Sequence, residues 1–346
     1  MSKLEEDHVQ ADSIKYRIVY YIHGDGSYLY HDNDGNDIQA DERMVSQAIS
    51  VAEGLPNSEV FIFHQKSKRH ILFFFPLKDG EFYYYRNGQL IDNDSYNSNS
   101  SLQNLDIEAA FFREYASYVP DLPGKIVRNF FLYYGHEIPE SGGMGYNPSY
   151  PEKPFSIDNL SKALSLFKNA SQIGDAKFDF LLLSTCYNGT PGVIEKLAPY
   201  ASYIMASPEY LHLSYISSEY LKKLPQAGQR EDLHSYLKSF AEAAFTRLKE
   251  DTRTMITIAI YDADRVKDFL NRYNYAKAAE RNIQDETGST PRITRALDDA
   301  AGCIDCSREA YFDLKAAKQG IDLFYNPPQF GKYKGKLTHS GWGCPK

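Results

Sequence analysis

The sequence predicts an α/β protein: a mostly parallel sheet flanked by helices on both faces, with a β-hairpin insertion. Three observations predict it. Arg17–Ile22 (RIVYYI), Asn129–Tyr134 (NFFLYY) and Phe178–Ser184 (FDFLLLS) are apolar runs of the right length for buried strands. Segments with helical spacing alternate with such runs, as they do where helices cover a parallel sheet. Lys78-Asp79-Gly80 separates two aromatic runs, which is a hairpin signal.

The elements follow in order. RIVYYI is the first strand and ends at His23-Gly24-Asp25-Gly26. Asp32–Asp37 is a loop of turn formers. It has a superficial likeness to a calcium loop, but its glycine is misplaced for an EF-hand, so a plain turn is expected. Glu42–Glu53 has helical spacing through Met44, Ala48 and Val51. Glu59–His64 is a second strand. Arg69–Pro76 and Glu81–Asn87 are expected to pair as the hairpin, and Asp92–Asn104 reads as loop. Asp106–Val119 is helical, and NFFLYY then runs into Gly135-His136-Glu137. A loop rich in Pro and Gly follows to Phe155, and Ser156 caps a helix whose apolar face is Leu160, Ala163, Leu164 and Phe167. FDFLLLS runs into Thr185-Cys186-Tyr187-Asn188-Gly189. Thr190–Tyr200 is a helix with Pro191 in its first turn. Tyr203–Ser207 is a strand, Glu231–Lys249 an amphipathic helix and Thr254–Tyr261 a strand. Asp264–Arg281 is helical again, Asn282–Thr294 reads as exposed linker, and Arg308–Gln319 carries the only clear periodicity after it.

Composition narrows the function. A chain of 346 residues can bury a real core. Its net charge of -8 argues against a general binder of nucleic acid or of anionic membranes. No apolar run approaches the roughly 20 residues of a membrane span. Residues 1–14 are a polar, acidic tail without the features of a signal peptide. The expectation is a cytoplasmic protein, or an exported one whose signal is already removed. Residues 15–282 are expected to form the α/β domain. Residues 283–346 are expected to be a linker and a small C-terminal region packed on it.

The chemistry centres on Cys186 and His136. Each follows a buried apolar run, and one helical crossover separates them, so both belong at the same edge of a parallel sheet. A buried structural thiol is the ordinary fate of a lone Cys. A helix start just beyond it favours a thiolate instead. With an imidazole in reach, the pair supports nucleophilic acyl transfer, with backbone N–H groups near both residues as an oxyanion hole.

NFFLYYGHE and FDFLLLSTC, in that order, resemble the clostripain-like cysteine peptidases, of the clan that also holds caspases, legumains and gingipains. The likeness continues through GTPGVIEKLAPYASYIMASPE and TMITIAIYDADRVKDFL, about residues 15 to 275 in all. The resemblance implies a caspase-like sheet and a cysteine endopeptidase acting on protein or peptide substrates. It makes His136 and Cys186 the catalytic dyad, with the oxyanion hole from the Glu137 and Cys186 backbones. Two positions depart from the family. Glu137 stands where Gly is usual. Ser184 stands where an Asp helps to bind a basic residue beside the cut, which leaves basic specificity in doubt. Ser184, Ser207 and Glu209 are the candidate substrate-binding residues, a solvated loop carboxylate being the plainer reading of Glu209. Some relatives are activated by self-cleavage; Lys153, Arg292 and Arg295 are candidate sites for it, an ordinary surface charge being the plainer reading of each.

The alternative is a catalytically inactive member of the same fold acting as a binding or scaffold protein. No cofactor is expected. Cys303, Cys306, His339 and Cys344 have the residue types for zinc, but their spacing fits a disulfide or free thiols better.

Overall fold

The structure is a computed structural model. It describes residues 14–24, 29–31, 37–67, 70–71, 75–98, 104–117, 127–140, 155–170, 177–209, 211, 216–224, 230–251, 255–267, 270–271, 320–327 and 329. The strands are β1 (Tyr16–His23), β2 (Leu29–His31), β3 (Asp37–Gln39), β4 (Ser58–Gln65), β5 (His70–Ile71), β6 (Phe75–Pro76), β7 (Gly80–Arg86), β8 (Gln89–Tyr96), β9 (Arg128–Tyr134), β10 (Phe178–Ser184), β11 (Ala201–Ala206), β12 (Ile256–Asp262) and β13 (Ile321–Asn326). The helices are α1 (Ala40–Gly54), α2 (Asp106–Tyr115), α3 (Ile157–Ala170), α4 (Pro191–Leu197) and α5 (Arg230–Asp251), with a 3-10 turn at Ser218–Lys223.

Nine strands form one sheet in the order β13-β12-β11-β10-β9-β1-β4-β7-β8. The five central strands, β11 to β4, are mutually parallel. Both wings are antiparallel. The sheet is therefore mixed, with parallel pairing confined to its centre rather than dominant throughout. From β1 the chain steps one way to β4, then returns to the other side of β1 for β9, β10 and β11. A right-handed crossover puts helices on opposite faces for these two directions. Accordingly α1 packs on one face, with the 3-10 turn and α5, while α2, α3 and α4 cover the other. Alternation along each strand feeds both cores: Phe131 and Tyr133 point to one, Phe130, Leu132 and Tyr134 to the other.

The hairpin is present, but its turn is Asn87-Gly88, not Lys78-Asp79-Gly80. β7 pairs with β8, while His70–Ile71 and Phe75–Pro76 form a small ladder of their own. Asn87 and Gly88 have φ of 51° and 84°, the left-handed backbone that makes Asn-Gly the favoured two-residue turn. β8 reads as loop because it is the edge strand: most of QLIDNDSY faces solvent, and little apolar patterning is left. Asp79 caps instead, accepting from Ser98 N–H at 2.8 Å. The helix expected over 106–119 stops at Tyr115. Past it, the Ser117 carbonyl accepts from Arg17 (2.7 Å) and its N–H donates to Glu59 (3.0 Å), which draws the chain onto the buried Arg17–Glu59 ion pair. β13, which the sequence reading did not find, pairs with β12. Residues 32–36, Lys153, Arg292, Arg295, Cys303, Cys306, His339 and Cys344 lie outside the described residues.

α3 begins as its sequence suggests, with Asn159 N–H donating to Ser156 Oγ at 3.4 Å. Its Phe167 is fully buried, with ring centroids 5.3 Å from Phe112, 5.3 Å from Phe131 and 6.1 Å from Phe63. It thereby joins α2, α3 and two strands in one aromatic cluster. Phe167→Ala should cost about 3–5 kcal/mol of unfolding free energy. A urea titration checks it, and a loss under 1 kcal/mol would mean the cluster does not carry this core.

Candidate active site

The site forms where β9 and β10 end. Their parallel register pairs Leu183 with Tyr133 and Ser184 with Tyr134. His136 and Cys186 each lie two residues beyond that last pair, on strands about 4.8 Å apart. One more rung, Gly135 N–H to Ser184 O at 3.5 Å, carries the pairing past the strand ends. Strand order reverses between β1 and β9, so this rim is also the switch point at which open α/β sheets bind ligands. His136 and Cys186 are both partly exposed.

The turn after Cys186 is tightly built. Tyr187 has a φ of 52°, an uncommon backbone for a non-glycine residue. Its N–H donates to Glu209 O at 3.0 Å, and Gly189 N–H donates to Ser207 O at 2.8 Å. Together they fasten the turn to the end of β11. A Cβ on Gly189 would lie 2.6 Å from Pro208 N and 2.8 Å from the Tyr261 hydroxyl, so only glycine fits there. Thr190 then caps α4 with Pro191 at its start, as the sequence predicts. Asn188 is buried and bridges the turns after β9 and β10: its amide meets both backbone groups of Ile138, and the Thr185 hydroxyl donates to its Oδ1.

The expected pocket residues take different places. Ser184 is 1% exposed, and its hydroxyl accepts from Ile216 N–H at 2.8 Å. Ser207 is fully buried, its hydroxyl donating to Glu209 O and accepting from Glu209 N–H. Both hydroxyls thus serve the backbone. Glu209 is 6% exposed, so it is not a solvated loop carboxylate. Glu137 is exposed. Among the described residues, the backbone N–H groups of Glu137 and Cys186 are not taken up by other protein groups.

Burial pushes the Cys186 thiol up, and the nearby Glu137 carboxylate adds to the rise. The Sγ lies 3.6 Å from Leu211 O, to which the thiol donates. Glu137, though exposed, has its carboxyl pushed up by partial desolvation. Among the described residues no cluster of His, Cys, Asp and Glu could hold a metal ion, and no helix is long and apolar enough to cross a membrane.

The sheet is a mixed α/β one with a thiol just past the end of a central strand, and the family match makes the chain a cysteine-type peptidase. Residues 131–315, more than half of the chain, match the clostripain family, and the chain belongs to that family. Among solved structures, a secreted C11 cysteine protease from Bacteroides thetaiotaomicron, "iotapain", is 12% identical with a TM-score of 0.50, over 73% of this chain and 67% of that one. A secreted C11 cysteine protease from the same organism, in complex with an irreversible peptide inhibitor, gives 14% and 0.48 over 73% and 67%. An inactive zymogen C11 protease from Parabacteroides distasonis gives 15% and 0.46 over 73% and 63%. At these identities the likeness concerns the fold alone. No curated protein matches the chain by sequence.

Glu137→Gln removes the negative charge beside the thiol and so eases its ionisation. The midpoint of the pH profile for iodoacetamide labelling of Cys186 should move to lower pH. A midpoint that stays or rises would show that Glu137 does not act on the sulfur.

Proposed function

We propose that the chain is a cysteine endopeptidase of the caspase-like plan that cleaves peptide bonds through Cys186 and His136. The observation that carries the reading is the β9–β10 register, which sets both side chains two residues past neighbouring parallel strands. His136 takes the thiol proton as the sulfur attacks the scissile carbonyl carbon. The oxyanion that forms is held by the backbone N–H groups of Cys186 and Glu137. The imidazolium then protonates the departing amine, leaving a thioester. Water, deprotonated by His136, hydrolyses the thioester and frees the thiol.

The substrate is a protein or peptide. Ser184 offers no negative charge to a basic residue beside the cut, and its hydroxyl is already spent on Ile216. If basic specificity exists, its carboxylate is Glu137 or Glu209 rather than residue 184. Residues 15–282 are taken as the peptidase domain, with residues 283–346 as a C-terminal region that contributes β13 to its sheet.

A second reading, an inactive member that binds peptides without cutting them, is favoured by one observation: the upward push on the Cys186 thiol. A peptide-library digest separates the two. Under the leading reading Cys186→Ala abolishes turnover with an unchanged melting temperature, and His136→Ala lowers kcat by roughly 10²–10⁴-fold. Wild-type protein that binds library peptides but leaves them whole would select the second reading. Undiminished cleavage by Cys186→Ala would rule out Cys186 as nucleophile.

A further inference from the structure

We propose that Asn188 is a positioning residue of this site: its side-chain amide fixes the turn bearing His136 against the turn bearing Cys186. The proposal rests on the Cys186–His136 reading given above. Asn188 is 1% exposed. Ile138 N–H donates to its Oδ1 at 2.9 Å, and its Nδ2 donates to Ile138 O at 2.8 Å. One side chain thus satisfies both backbone groups of one residue, as a neighbouring strand would. The Thr185 hydroxyl donates to the same Oδ1 at 2.6 Å. Only one orientation of the amide matches a donor to an acceptor at both Ile138 contacts, so its placement is fixed by chemistry.

The spacing gives this bridge its meaning. Ile138 is two residues after His136, and Asn188 is two residues after Cys186. Backbone pairing between the two strands reaches Gly135 N–H and Ser184 O, at a long 3.5 Å. Beyond that rung the amide takes over. His136–Ile138 and Cys186–Asn188 are therefore held at both ends, by the rung below and the amide above. The far anchor is firm as well. Ile138 is 1% exposed, and the next carbonyl, Pro139 O, accepts from Ile157 N–H at the start of α3. Tyr187, in left-handed backbone between Cys186 and Asn188, is carried at the apex of this frame. Imidazole and sulfur must meet within a few tenths of an ångström of the productive geometry, and a misplacement of 1 Å costs on the order of 10²-fold in rate. Nothing in the bridge touches the substrate or the reacting atoms, so its effect passes through the two residues it holds.

Asn188→Asp keeps the size and the Oδ1 acceptor but sets an oxygen against Ile138 O. Thr185→Val keeps both Ile138 bonds and removes only the hydroxyl that steadies the amide. Each is compared with wild type and Cys186→Ala in the full chain. The readouts are kcat and KM per iodoacetamide-titrated site, the pH profile of kcat/KM and the melting temperature. The expected result for Asn188→Asp is a kcat per titrated site lower by about tenfold or more, KM within about twofold, and a shifted pH profile. Thr185→Val should fall in the same direction by less. A merely structural role would lower the melting temperature and the titratable fraction but leave kcat per site and the pH profile unmoved. That result in Asn188→Asp overturns the proposal; if Asn188→Asp does not fold, the same result in Thr185→Val overturns it. Turnover that survives in Cys186→Ala would sink the dyad itself and this inference with it. Unchanged Asn188 kinetics beside an inert Cys186→Ala would sink this inference alone.

Discussion

The site depends on how β9 pairs with β10. Both strands are apolar on both faces, because helices cover both sides of the sheet. Alternation therefore does little to choose a register, since a slip by one residue would trade one apolar set for another. Polar pins at the two ends do the choosing. At the start, the Asp179 carboxylate receives Arg128 Nη1 at 2.5 Å and Asn129 N–H at 2.8 Å. Burial opposes its charge and these partners support it, so the carboxylate is worth burying only in this alignment. At the far end, Asn188 closes on Ile138. A register fixed at both ends sets His136 level with Cys186.

A buried charged cluster stands elsewhere on the rim. β4 ends near His64, which is 2% exposed, with Nε2 3.0 Å from Asp41 Oδ2 and Nδ1 3.5 Å from Glu81 Oε2. Burial works against the imidazolium, but the two carboxylates prevail and raise its pKa. Glu81 is drawn down to about 2, first by His64, with Lys66 adding to it. Both carboxylates thus face one buried ring, with Nε2 hydrogen-bonded to Asp41. Cys186 differs: it is partly exposed, and the Glu137 carboxylate that acts on it is one residue past His136.

Much of this was legible in the sequence, for reasons that can be named. NFFLYY and FDFLLLS announce buried parallel strands because both faces must be apolar. A single helix between them fixes the hand of the crossover and hence the shared rim. Pro191 and Ser156 mark helix starts because each suits a position where the backbone N–H lacks a partner or needs one. What escaped notice lacks such a signature. β8 is a polar edge strand, and β13 a short strand with all six residues only half-buried. Asn87-Gly88 was the stronger hairpin signal, hidden because the strand after it shows no alternation. Asn188 reads as a turn former beside Gly189, and only the fold shows that its amide is buried against another chain segment. The fate of Ser184 was hidden for the same reason: Ile216, which claims its hydroxyl, is 32 residues away.

The raised thiol is compatible with catalysis, and the physical reason lies in when the proton moves. A thiol of higher pKa is less ionised at rest, but its thiolate is intrinsically the better nucleophile. Under the proposed reading the sulfur stays protonated until a substrate carbonyl is in place, and His136 removes the proton during attack rather than before it. Glu137 strengthens that order. Its carboxylate opposes a second negative charge at the sulfur, and desolvation already weakens its own ionisation. A bound peptide would exclude more water from this rim. Glu137 would then have to take up a proton or meet a substrate cation, and either event lifts its opposition to the thiolate. Glu137, where the resemblance leads one to expect Gly, would by this logic oppose early ionisation of the sulfur.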